Sequence, residues 1–219
     1  MKAKKLTSYY DLTTNNQNIR SNIKMTSFEA LFCLCEDPSN DAYDKFIDLI
    51  NKGAMNEYFA MYPTWTLLHH LLIQPKVNKK IFDFLLNSEY FDELNISYYE
   101  PPDDNYQEDS HKISFDGYSP LAIACHSGHT VYVKILLERG SLIAYKHDKS
   151  LMSVLVVAIL APKPKPEIFR LLIRAGADVN VLFAEFPTQY LTPLQIAVET
   201  IEKKQLSFLN GSVRKVLSH

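Results

Sequence analysis

Apolar and polar positions alternate along the chain in short blocks with helical spacing, and the blocks come in pairs. In Ser27–Glu36, Phe28, Leu31, Phe32 and Cys35 recur at steps of three and four, which puts them on one face of a helix. Asp37-Pro38-Ser39-Asn40 interrupts that helix, and Asp41 stands where a cap would open the next. Phe46, Ile47, Leu49 and Ile50 supply the second apolar stripe, which stops at Gly53. The same order returns from Thr66: a helix through Leu67-Leu68-His69, a break at Ile73-Gln74-Pro75, and a stripe of Ile81, Phe82, Leu85 and Leu86. Glu89 stands where a glycine stop is expected. The clearest pair runs from Asp116 to Lys146, with an Asp-Gly turn, a helix opened by Ser119-Pro120, a Gly128-His129 break and a stop at Gly140. A fourth pair starts at Ser153, 34 residues after Ser119, and a fifth at Thr192, 39 residues after Ser153. Ala161-Pro162-Lys163-Pro164-Lys165-Pro166 stiffens the turn inside the fourth pair. The fifth pair is expected to end in a short basic helix at about 213–217.

Ser119-Pro120-Leu121-Ala122-Ile123-Ala124 resembles the T-P-L-H-x-A signature of the ankyrin repeat, with Ser for Thr and Ala for His. Thr66-Leu67-Leu68-His69 and Thr192-Pro193-Leu194-Gln195-Ile196-Ala197 are similar to it. Gly128-His129, Leu136-Leu137-Glu138-Arg139-Gly140 and Ala177-Asp178-Val179-Asn180 match the later landmarks of that family. The resemblance implies an all-α fold, a curved solenoid of about five helix–turn–helix repeats with enlarged inter-repeat hairpin loops. The repeats would span about 26–56, 64–95, 116–147, 150–181 and 190–219, within one domain at 26–219. Residues 96–115 would be an insertion, and residues 1–25 a polar tail or cap. Each helix pair has one apolar face too small to be stable alone, so neighbours must stack into a continuous core.

Composition narrows the partner. The chain has 219 residues, 47% hydrophobic and 22% charged, with a formal charge of -2. That balance gives no electrostatic reason to expect nucleic acid or an anionic membrane. No apolar run reaches the roughly 18 residues of a membrane span, and the lysines near the N-terminus have no apolar stretch behind them to form a secretory signal. Three cysteines, two of them at Cys33 and Cys35, read as reduced thiols of a cytoplasmic protein rather than a disulfide framework.

Catalytic and metal chemistry find little support. His69 and His129 fall on family landmarks, and Cys33, Cys35 and Cys125 fall on first helices, so each has a structural role available. Cys125 with His126 is the pair an enzyme would use as nucleophile and base. Neither His69-His70 nor His126 with His129 has the companion ligands of a zinc site. Asp103-Asp104-Asn105 lacks the alternating spacing and glycine of a calcium loop. No phosphate-cradling glycine motif occurs among the six glycines. No cofactor is expected.

Aromatic residues are the informative class, with 13 Tyr, 12 Phe and one Trp. Many lie between repeats, where the family projects hairpins like fingers and binds partners on the concave face made by fingertips and first helices. On this sequence the resemblance gives Tyr58, Phe59, Tyr62 and Trp65 to the first finger. Tyr98, Tyr99 and Tyr106 go to the second, Tyr145 to the third, and Phe183, Phe186 and Tyr190 to the fourth. The residues just before each capping Thr or Ser are Trp65, Tyr118, Met152 and Leu191. Stacking would align them as a ridge, either binding a partner or packing against irregular fingers. Asn180 lies in a context similar to that which asparaginyl hydroxylases modify in ankyrin repeats, and it equally suits a hydrogen bond within the hairpin.

The function these readings imply is non-enzymatic recognition of a protein by the concave, aromatic-lined face, by a chain monomeric on its own. The Asn- and Lys-rich, degenerate style is similar to ankyrin proteins of intracellular pathogens. It implies an effector delivered into host cytoplasm without a cleaved signal peptide. The alternatives are a regulatory or scaffold subunit of a stable complex and an enzyme using Cys125 and His126.

Overall fold

The computed structural model describes residues 27–54, 66–88, 117–147, 150–186 and 189–201. The expected tail at 1–25, the insertion at 96–115 and the helix at about 213–217 lie outside them. Four helix pairs are complete: α1 (Ser27–Glu36) with α2 (Asn40–Asn51), α3 (Leu67–Ile73) with α4 (Lys79–Asn87), α5 (Pro120–His126) with α6 (Thr130–Glu138), and α7 (Val154–Leu160) with α8 (Pro166–Arg174). A further helix, α9, begins at residue 193 and is described to residue 201.

Local chemistry explains where these helices begin. Ser39 caps α2, its hydroxyl accepting the Ala42 N–H at 3.2 Å. The cap therefore falls two residues before Asp41, which sits in the first turn and meets the helix dipole there instead. Ser119 caps α5 by accepting the Ala122 N–H at 3.3 Å, and Pro120 fixes the first helical residue. No proline opens α3, where Thr66 and His69 form a reciprocal capping box instead.

A Leu-x-x-x-Gly spacing, from Leu136 to Gly140 and from Leu172 to Gly176, explains where second helices end. Gly140 and Gly176 take positive φ of 86° and 97°. The N–H groups of Ser141 and Ala177 then reach back to the carbonyls of Leu136 and Leu172, both at 3.0 Å. These bonds satisfy carbonyls that a helix end would otherwise orphan.

The first helices α1, α3, α5 and α7 pack side by side in chain order, while the second helices lie behind them. Their apolar faces merge into one core running from Leu31 to Leu172. Position decides how much each helix buries. All of Leu67–Leu72 in α3 and Pro120–Cys125 in α5 are buried. The flanking second helices bury a narrower stripe, such as Val133 and Leu136 in α6 and Ile168 and Leu172 in α8. Each fully buried Leu or Phe contributes about 1.5–3 kcal/mol against leaving it exposed.

Between repeats the chain forms antiparallel hairpins. β1 (Ala144–His147) pairs with β2 (Ser150–Ser153), and β3 (Phe183–Phe186) pairs with β4 (Gln189–Leu191) through a bulge. The inter-repeat segments at 144–153 and 183–191 thus close as short two-stranded ribbons, and β2 packs beside β3.

Candidate interaction surface

Side chains able to do chemistry are largely absorbed by the stack. Cys125 is 1% exposed, and burial pushes its thiol far above the ordinary range. His126 follows it on α5, so the two side chains leave the helix about 100° apart. The His126 ring lies edge-on to Tyr118 at 5.9 Å. A protonated core thiol beside an imidazole facing a tyrosine is not an activated nucleophile. Cys35 is buried in the same way, with its thiol raised by burial first and by Glu36 and Cys33 second. Among the described residues no group of three or more His, Cys, Asp or Glu could hold a metal ion.

The histidines tie repeats together. His69 is 0% exposed, and its Nε2 lies 3.0 Å from the Tyr118 carbonyl of the next repeat. A carbonyl only accepts, so Nε2 carries the proton and Nδ1 is the acceptor. Accordingly, Nδ1 receives the Thr66 N–H at 3.2 Å and the Thr66 hydroxyl at 2.8 Å. The His69 N–H returns to Thr66 Oγ1 at 3.4 Å. His70, the next residue, faces the other way, edge-on to Phe32 at 5.0 Å and 3.3 Å from Glu36 Oε1. His129 opens α6, and its Nε2–H donates to the Gln74 carbonyl at 2.8 Å. Burial, then the nearby Lys165 charge, lowers its pKa against the opposing pull of the Gln74 and Leu72 carbonyls.

A second set of ties was not evident from the sequence. Asn78 caps α4 through its Oδ1, which accepts the Ile81 N–H at 3.3 Å. Its amide donates backward to the carbonyls of Asp37 at 3.0 Å and Ser39 at 2.8 Å. Arg139 reaches from the end of α6 to the Leu86 carbonyl at 3.1 Å and Asn87 Oδ1 at 2.7 Å. Asn78 and His129 occupy the same register, immediately before a second helix, and both donate into the preceding repeat's turn. Lys165 has that register before α8, and its side chain lies against Gly128. The signal that could have found them is this shared capping position.

The residues expected to bind a partner separate into three groups. Tyr58, Phe59, Tyr62, Trp65, Tyr98, Tyr99 and Tyr106 lie outside the described residues. Tyr145, Met152, Phe183 and Phe186 lie on hairpin strands, Tyr145 opposite Met152 in register, and the neighbouring of β2 and β3 brings the two hairpins together. Tyr118 and Leu191 are turned into the stack. Tyr118 packs against the main core, and burial raises its hydroxyl pKa. Leu191 is 6% exposed and packs with Val156 and Ile196. Both side chains therefore pack within the stack. The cause is their place in the extended segment entering a first helix, where the preceding repeat lies alongside. Asn180 is exposed, and its N–H donates to Asp178 Oδ1 at 2.8 Å.

Residues 70–183 match the family model described as ankyrin repeats (3 copies). No curated protein matches the chain at a significant level.

Proposed function

The chain belongs to the ankyrin-repeat family, and we propose that it acts without catalysis, recognising a protein partner along its hairpin side. The observation that carries this reading is the adjacency of β2 and β3: β2 bears Met152, paired in register with Tyr145 of β1, and β3 bears Phe183 and Phe186. First helices α3 and α5 spend their side chains on stacking, which leaves the hairpins as the part of the concave side offered to a partner. Tyr58, Tyr62, Trp65, Tyr98 and Tyr99 fall between the same repeats in sequence and are proposed as further anchors. Large aromatic side chains are effective anchors because they bury much area for few rotatable bonds.

The partner class follows from where the protein acts. An effector would bind a host protein in the host cytoplasm, whereas a regulatory or scaffold subunit would bind a protein of its own cell. Full-length protein used as bait in host and native lysates, with quantitative mass spectrometry, separates these cases. A specific partner lost from the Tyr145→Ser/Phe183→Ser protein, at unchanged melting temperature, is the expected result. Undiminished capture by that variant would overturn the hairpin assignment.

A further inference from the structure

The joints between second helices are filled in one place and open in another. Between α4 and α6 the joint is closed by side chains of α6. Tyr132 lies edge-on to Phe82 at 4.5 Å, and its hydroxyl donates to the Val77 carbonyl at 3.4 Å. Arg139, the residue that ends α6, closes the far end, its guanidinium donating to the Leu86 carbonyl at 3.1 Å and to Asn87 Oδ1 at 2.7 Å. The residue that ends α4 is Ser88, whose short side chain turns back to the Leu85 carbonyl at 3.2 Å. Between α2 and α4 a groove of about 460 Å³ is therefore left, lined by Tyr43 of α2 and by Lys80, Asp83, Phe84, Asn87 and Ser88. Sites that take ligands have volumes of about 300–1,000 Å³.

Two aromatic rings wall the groove. Phe84 is held edge-on to Phe46 at 6.0 Å, and Tyr43 carries the Lys80 ammonium over its face, 5.6 Å from the ring centre. Neither Lys80 nor Asp83 is in an ion pair among the described residues. A ring face that already holds a cation, with an uncommitted carboxylate one turn along the helix, suits a guanidinium. That group is planar and weakly hydrated, stacks on aromatic rings, and donates two parallel bonds to a carboxylate. The neighbouring joint supplies the precedent, since the chain closes it with a guanidinium of its own. We propose that the groove between α2 and α4 receives an arginine side chain of a protein partner, laid between Tyr43 and Phe84 with its guanidinium on Asp83. Lys80 occupies the Tyr43 face in the free protein and gives way to solvent when the arginine enters. Because it is exposed and unpaired, its displacement costs little. The groove belongs to the second helices, so this assignment is independent of the hairpin surface.

Peptide titrations of the full-length protein, followed by nuclear magnetic resonance of the Tyr43 and Phe84 rings, test the assignment. The probe is acetyl-Gly-Arg-Gly-amide, and the comparison peptides carry citrulline or glutamate in place of arginine. The arginine peptide is expected to move both ring signals saturably, and the other two to leave them in place. Asp83→Asn should weaken that binding about two- to five-fold, the worth of a charge pair at a surface. Lys80→Ala should strengthen it, because the competing ammonium is gone. Melting temperatures establish that both variants are folded. No shift with the arginine peptide, or an equal shift with the citrulline peptide, overturns the proposal. Weaker binding by Lys80→Ala overturns it as well, and with the glutamate peptide bound instead it assigns the groove to an acidic ligand.

Discussion

Replacing His69 separates capping from stacking, because the two nitrogens of one ring do the two jobs. His69→Ala removes the acceptor of the Thr66 N–H and the donor to the Tyr118 carbonyl. Thr66 is 2% exposed, so water does not replace the lost bond there. Each buried group left without a partner costs about 1–3 kcal/mol, and removing the ring from a site of 0% exposure adds a cavity term. The sum is about 3–5 kcal/mol, a large part of the roughly 5–15 kcal/mol that holds a domain folded. Repeat five provides the control. Gln195 has the register of His69, and its Oε1 accepts the Thr192 N–H at 2.8 Å while its own N–H returns to Thr192 Oγ1 at 3.4 Å. Glutamine at this position therefore closes the box by itself. His69→Gln should keep the cap and lose chiefly the inter-repeat bond, for a cost of about 1–2 kcal/mol. Equilibrium urea unfolding followed by circular dichroism measures both. A His69→Ala cost under about 1 kcal/mol, or equal costs for Ala and Gln, would refute the two-job assignment.

Asn78 provides a sharper discrimination, since aspartate is as good a helix cap as asparagine. Asn78→Asp keeps the acceptor for Ile81 but sets a carboxylate against the carbonyls of Asp37 and Ser39, so it should destabilise at least as much as Asn78→Ala, by about 2–4 kcal/mol; a neutral Asn78→Asp would show that the backward bonds contribute nothing. The thiols should titrate in a fixed order with Ellman's reagent: Cys33, partly exposed, first, and Cys35 and Cys125, buried and with raised pKa, only on unfolding. Rapid reaction of Cys125 in folded protein would contradict its burial. Stability should also fall on acidification. His126 and His129 have pKa values lowered mainly by burial, so the unfolded chain takes up their protons first. The stability they supply is complete above the ordinary imidazole value of about 6.5 and declines as the pH drops below it. Thermal melts from pH 7.5 to 5 of the native protein and of His129→Gln check this, and an unchanged slope in the variant would remove His129 as a contributor.

What the sequence discloses in such a chain is what local spacing determines. The stripes of Ile81, Phe82, Leu85 and Leu86, the Ser119-Pro120 start and the Gly140 stop each concern residues within a few positions of one another, so their geometry follows from the helix period. Near misses are local as well: Ser39 and Asp41 are both capping residues, and only the placement of the Ala42 N–H selects Ser39. Ties between repeats obey another logic. Asn78 and the Asp37 carbonyl are 41 residues apart and Arg139 and the Leu86 carbonyl 53, and no periodicity in sequence states which carbonyl a neighbouring repeat will present. The same gap explains Tyr118 and Leu191. Size and position suit them to anchor a partner, and a large apolar side chain at an inter-repeat position serves equally to fill the joint, so sequence alone does not separate the two roles. Register resolves the ambiguity once the stack is known. A position buried in every repeat is part of the joint, whatever its residue. A position buried in some repeats and open in one, as Leu194 and Ile173 are, marks where the described stack presents apolar surface.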